Sequence, residues 1–166
     1  MGAGKSLVGD LVAQKLGWEM IDVDVAITAR NGLTVREIWE HGGEEAYRHL
    51  ESDVVLQALR RSEPVVIAAP AGIVLDPAVR TALSDGDVIW LRADPAVLAG
   101  RVRPGDHRPL LGDDPLLVLA TMNADRASLY LELADFVIDT DHVDGDAVAA
   151  LVIDFLQIHT LPSPTE

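Results

Sequence analysis

The chain has 166 residues, 49% of them hydrophobic, enough for one domain with a sizeable core. It shows no run of 18 apolar residues and no basic leader, so neither membrane insertion nor export is expected, and without cysteine it can form no disulfide or thiolate metal site. A net charge of −14 argues against nucleic acid as a partner, and any anionic ligand must be met by local concentration of the 13 Lys and Arg residues.

Residues 1–6, MGAGKS, match the closing half of the phosphate-binding pattern G-x-x-x-x-G-K-[ST]. Gly2 and Ala3 keep such a loop slim, Gly4, Lys5 and Ser6 supply its last three positions, and residues 6–16 form an amphipathic helix whose N-terminus faces the phosphates. A strand over 19–22 then ends in Asp22-Val-Asp24. The two carboxylates either lie at the ligand-binding edge of a parallel sheet or cap the helix over 25–30. Asn31-Gly32 ends that helix, and Thr34 with Glu37 forms a capping box for the next.

Gly42-Gly43 breaks the chain before a long helix over 44–61, which carries Arg48 and Glu51 three residues apart. On the surface they would be a weak ion pair; in a site Glu51 would orient the Arg48 guanidinium. Residues 64–69 read as a strand buried on both faces, and Pro70-Ala71-Gly72 turns out of it. Asp76-Pro77 opens a short helix, 87–91 is the next strand, and Asp94-Pro95 opens a helix with Arg101 near its end. Residues 103–109 are rich in basic and turn residues and read as an exposed loop. A helix over 115–131 carries Arg126 and Tyr130, 136–139 is the last strand, and a final helix covers 145–156. The expectation is a three-layer α/β/α doubly wound parallel sheet, with one domain over 1–158 and a flexible tail over 159–166.

With these pieces in order, the chain resembles the shikimate kinases over nearly its whole length. The resemblance rests on MGAGKS, Asp22-Val-Asp24, Gly43-Glu-Glu-Ala-Tyr-Arg48-His-Leu-Glu51, Arg108-Pro-Leu-Leu111 and Arg126-Ala-Ser-Leu-Tyr130, in family order and spacing. It implies a P-loop kinase that uses ATP and Mg²⁺ to phosphorylate the 3-hydroxyl of shikimate, or of a similar small hydroxy acid, in aromatic amino acid biosynthesis. Gly2, Ala3, Gly4 and Lys5 would hold the phosphates, Ser6 would coordinate Mg²⁺ and Asp22 would hold that ion through water. Asp24 would accept the hydroxyl proton, while Arg48 and Arg126 would clamp the carboxylate with Ala71 and Gly72 beside it. Arg108, on a lid over 103–113, would swing in to neutralise charge on the transferred phosphoryl, and Arg101 would lie against adenine. A cytoplasmic monomer without membrane or nucleic-acid partners completes this reading.

Some positions depart from the family pattern. The family's Gly-Gly-Gly turn aligns with Pro70-Ala71-Gly72; Pro70 has no N–H to offer, and a positive φ at Ala71 would cost roughly 1–2 kcal/mol. Weakened shikimate binding or a changed acceptor is therefore expected. Thr28 stands where an acid is frequent, Trp39 and Tyr47 where Phe is usual, and Ala150 where many members have Arg near adenine. The loop's opening glycine and the strand that feeds it would lie before Met1. In the family fold that strand is central, and its burial is worth on the order of 10 kcal/mol. The expectation is a natural start upstream of Met1, with unpaired backbone groups along 65–69 and 88–91 in the chain as given. Gluconate kinase, or a degenerate nucleotide-binding relative without catalysis, are the alternatives.

Overall fold

A computed structural model describes residues 2–102 and 114–160. The segment 103–113, with Arg108 and the expected lid, lies outside the described residues, as do Met1 and the tail from 161.

Gly4, with φ 83°, turns the chain into α1 (Lys5–Leu16), which buries Val8, Val12 and Ala13 along one face before Gly17 closes it. The β-branched run of β2 (Val65–Ala68) pairs in parallel with β1 (Glu19–Asp22), Met20 opposite Val66 and Asp22 opposite Ala68. Between them in sequence lie α2 (Val23–Asn31) and α3 (Val35–Leu59). Helix α2 starts two residues earlier than the sequence suggests, because Asp22 caps it by accepting from the Asp24 and Val25 amides. The Thr34–Glu37 capping box forms as expected, and α3 is kinked at Gly43, whose φ of 71° and ψ of −170° are not helical.

After β2 the chain makes a 3₁₀ turn (Ala71–Leu75), then α4 (Pro77–Leu83). β3 (Ile89–Arg92) follows, then α5 (Pro95–Arg101) and α6 (Pro115–Leu133). Helices α4, α5 and α6 share one sequence device, an Asp whose carboxylate accepts from first-turn amides followed by Pro where no N–H is needed. β4 (Phe136–Asp139) pairs in parallel with β3, Trp90 opposite Val137, and α7 (Gly145–Thr160) ends the described chain.

Two apolar clusters result. In one, Val23, Ile27, Tyr47, Val54, Val55 and Val79 join α2, α3 and α4 behind β1 and β2. In the other, Val8 and Val12 of α1 meet Val148, Ala149 and Val152 of α7 and Ile138 of β4. All strand pairing is parallel, as expected, but it comes as two separate pairs, β1–β2 and β3–β4. β2 and β3 line one cavity of about 1050 Å³, and among the described residues no strand lies between them.

Successive residues of a parallel strand direct their amides to opposite edges, so alternate positions of β2 and β3 bond β1 and β4 while the others point toward the cavity. Hydrogen exchange should therefore alternate between slow and fast along Val65–Ala68 and Ile89–Arg92. Uniform protection across either strand would mean that both of its edges are paired.

Candidate functional site

The cavity that opens between β2 and β3 continues to the N-terminus of α1, where Gly2, Ala3, Gly4, Lys5 and Ser6 line it. Gly2 and Gly4 both have positive φ, 74° and 83°, which winds the backbone into a tight loop. Gly4 offers α1 no side-chain cap, so the first-turn amides, which have no intrahelical acceptor, present a positive helix end at this wall. Arg101 of α5 ties the loop to the chain after β4: its guanidinium donates to the carbonyls of Thr140 at 2.7 Å, Asp141 at 3.1 Å and Gly2 at 3.5 Å.

The two readings of Asp22, cap or site residue, turn out to be compatible. Its Oδ1 accepts from the Asp24 amide at 3.0 Å and the Val25 amide at 3.3 Å, and its Oδ2 accepts from Ser6 Oγ at 2.5 Å. Asp24, two residues on, lines the cavity. Tyr47 Oη donates to Asp24 Oδ1.

A second group of cations approaches from α3 and α6. Arg48 Nη1 bonds Glu51 Oε2 at 2.6 Å, and its Nη2 and Nε bond Glu44 Oε1 at 2.9 and 3.1 Å. The Arg48 side chain is 19% exposed and that of Glu51 only 1%, so this is no surface pair. Burial works against the Arg48 charge, yet Glu51 and Glu44 hold its pKa above the ordinary guanidinium value. The guanidinium carbon lies 5.7 Å from the Tyr47 ring centre and 6.0 Å from that of Trp39, within cation–π range.

Gly72 shows why the last position of its turn is glycine. A Cβ there would stand 1.9 Å from Arg48 Nη1, so any side chain would expel the guanidinium. Tyr130 Oη donates to the Ala71 carbonyl at 2.8 Å. Burial pushes the Tyr130 phenol above its ordinary value of 10, against the opposing pull of the positive charges of Arg126 and Arg48. Arg48 of α3 and Arg126 of α6 thus line the same cavity as Asp24 and Tyr130.

The strain anticipated at Ala71 does not arise: no described non-glycine residue has positive φ, and Pro70, at φ −63° and ψ 146°, leads smoothly into the 3₁₀ turn. Lys5, Arg48, Arg101 and Arg126 line the same cavity, whereas Arg108 falls outside the described residues. Sequence reasoning left Tyr47 and Tyr130 out of the candidate site. The available signal was their position, one next to Arg48 and the other four residues, about one helical turn, after Arg126.

The family model described as shikimate kinase matches residues 1–157. A shikimate kinase of Halorhodospira halophila is 40% identical over 159 residues, 95% of this chain and 89% of its own length. One of Thermobifida fusca is 36% identical over 91% of this chain and 87% of its own. The solved structure of shikimate kinase from Acinetobacter baumannii in complex with shikimate superposes with a TM-score of 0.92 at 29% identity, covering 98% of this chain and 91% of that one.

The Arg48–Glu51 pair can be tested without any ligand. Arg48→Met leaves a carboxylate that is 1% exposed without its cation, and should lower unfolding stability by about 3 kcal/mol in urea. Arg36→Met, which opens an exposed pair with Glu40, should leave the midpoint unchanged. Equal effects of the two substitutions would show that Arg48 is no more enclosed than Arg36.

Proposed function

The chain belongs to the shikimate kinase family, and on that premise we propose that it transfers the γ-phosphoryl of ATP to the 3-hydroxyl of shikimate, using the cavity described above. The observation that carries this reading is that Arg48, Arg126 and Asp24 line one cavity together with the glycine loop and Lys5. The loop offers amides and an ammonium suited to phosphates, and Arg48 and Arg126 offer two planar forks suited to a carboxylate. The Asp24 carboxylate suits a hydroxyl that must lose its proton.

In this reading Lys5 and the amides of Gly2, Ala3 and Gly4 hold the β- and γ-phosphates. Arg48, oriented by Glu51 and Glu44, and Arg126, beside Tyr130, hold the acceptor's carboxylate. Asp24 accepts the hydroxyl proton as that oxygen forms its bond to the γ-phosphorus, and the bond to the ADP oxygen breaks. Arg101, tied to the loop and to the end of β4, stands at the nucleotide's base. Arg108 neutralises charge on the transferred group.

Ser6 and Asp22 fit Mg²⁺ by their chemistry, a hydroxyl and a carboxylate held together by a 2.5 Å hydrogen bond. Mg²⁺ commonly keeps several waters and takes one or two protein oxygens together with substrate phosphates, a role that this pair would fill. Bound there, Mg²⁺ would offset phosphate charge. The reading is of a cytoplasmic monomer acting on a small molecule; no helix among the described residues is long and apolar enough to cross a membrane.

ADP release measured with shikimate, with gluconate and without acceptor tests the assignment. Shikimate-dependent release is expected; release with gluconate alone would reassign the acceptor, and nucleotide binding without any acceptor-dependent release would make the chain a non-catalytic relative. Asp24→Asn should reduce turnover by about 10²–10⁴-fold while ATP affinity is retained. Turnover close to wild type in that variant would remove Asp24 from the chemistry.

A further inference from the structure

Tyr47 is a polar residue where the surroundings ask for an apolar one. It is 0% exposed, in a cluster with Val23, Ile27, Ile38, Val54 and Val55. Its ring centre lies 5.7 Å from that of Trp39, with the rings tilted by 37°, and 5.7 Å from the Arg48 guanidinium carbon. A phenol so enclosed needs a partner for its hydroxyl, and Oη donates to Asp24 Oδ1, reaching from α3 to the first turn of α2. A carboxylate has about four lone-pair sites, so this bond leaves Asp24 able to accept another proton donor.

The bond is the first link of a longer chain. Asp24 N–H donates to Asp22 Oδ1, and Asp22 Oδ2 accepts from Ser6 Oγ in the first turn of α1. A rigid ring in the core is thereby connected, through two aspartates, to the loop that faces the phosphates. Phosphoryl transfer depends on placement of the attacking oxygen, and a displacement of about 1 Å can cost on the order of 100-fold in rate.

We propose that Tyr47 is a positioning residue: its phenol fixes the Asp24 carboxylate in the orientation that meets the acceptor hydroxyl, in register with the phosphate loop. The proposal rests on the reading of Asp24 as the proton acceptor. It concerns the hydroxyl of Tyr47 and not its ring, which packs as any large apolar side chain would.

Tyr47→Phe removes that hydroxyl and keeps the ring. Turnover with shikimate should fall about tenfold, which corresponds to roughly 1.4 kcal/mol, with the KM for ATP unchanged and a melting temperature within about 3 °C of wild type. In an Asp24→Ala background, where the phenol has lost its acceptor, adding Tyr47→Phe should change residual turnover and shikimate affinity less than about twofold. Wild-type turnover in Tyr47→Phe overturns the proposal. So does a fall that persists undiminished in the Asp24→Ala background, or one matched by a rise in the KM for ATP, since either places the effect outside Asp24. Failure of the underlying reading is seen separately, as wild-type protein without shikimate-dependent ADP release, and that result removes the proposal as well.

Discussion

The Asp22 carboxylate ends β1, starts α2 and holds Ser6 of α1, and the arrangement of the cleft depends on these three attachments being made by one side chain. A strand and two helices packed only by apolar contact can slide by fractions of an ångström, because hydrophobic attraction has no direction. Hydrogen bonds to the two oxygens of a single carboxylate do not allow that freedom. The C-terminal edge of β1 therefore becomes a fixed point. From it the phosphate loop extends in one direction, and Asp24, two residues further along, in another.

Charge placement follows a similar economy. A chain with net charge −14 repels anions at a distance, yet Lys5, Arg48, Arg101 and Arg126 all line one cavity. Burying guanidiniums is costly unless each has partners, and the partners differ by site. Arg48 has Glu51 and Glu44, and Arg101 has three backbone carbonyls. A carboxylate beside Arg48 orients it at the expense of some of its charge, whereas carbonyls orient Arg101 and leave its charge available.

Two apolar clusters hold the described elements together, one built from α2, α3 and α4 and the other from α1 and α7. Helix α1 touches both regions, since Val8 and Val12 pack on α7 while Gly9 lies close to Met20, Val66 and Ala68. Packing across the molecule therefore depends heavily on this one helix, the same one whose N-terminus forms the phosphate loop.

Local signals settled much of the molecule before any folding was considered. Asp-Pro at the starts of α4, α5 and α6, the Thr34–Glu37 box, the bend at Gly43 and the β-branched runs act within a few residues, so the parallel α/β class and the family were legible in the chain alone. The phosphate loop and the aspartate pair were legible for the same reason. Three features were not. Whether Arg48 and Glu51 form a surface pair or a buried one depends on Gly72, 21 positions away from Glu51, leaving room for the guanidinium. That Arg126 shares a cavity with Arg48 depends on how α6 packs beside the 3₁₀ turn. The bond from Tyr47 to Asp24 depends on α2 crossing α3, and no spacing rule along the sequence encodes a contact between residues 23 positions apart. Capping and strand pairing are short-range and read directly from residue order; the meeting of side chains in a cleft is fixed only when separate helices are packed against each other.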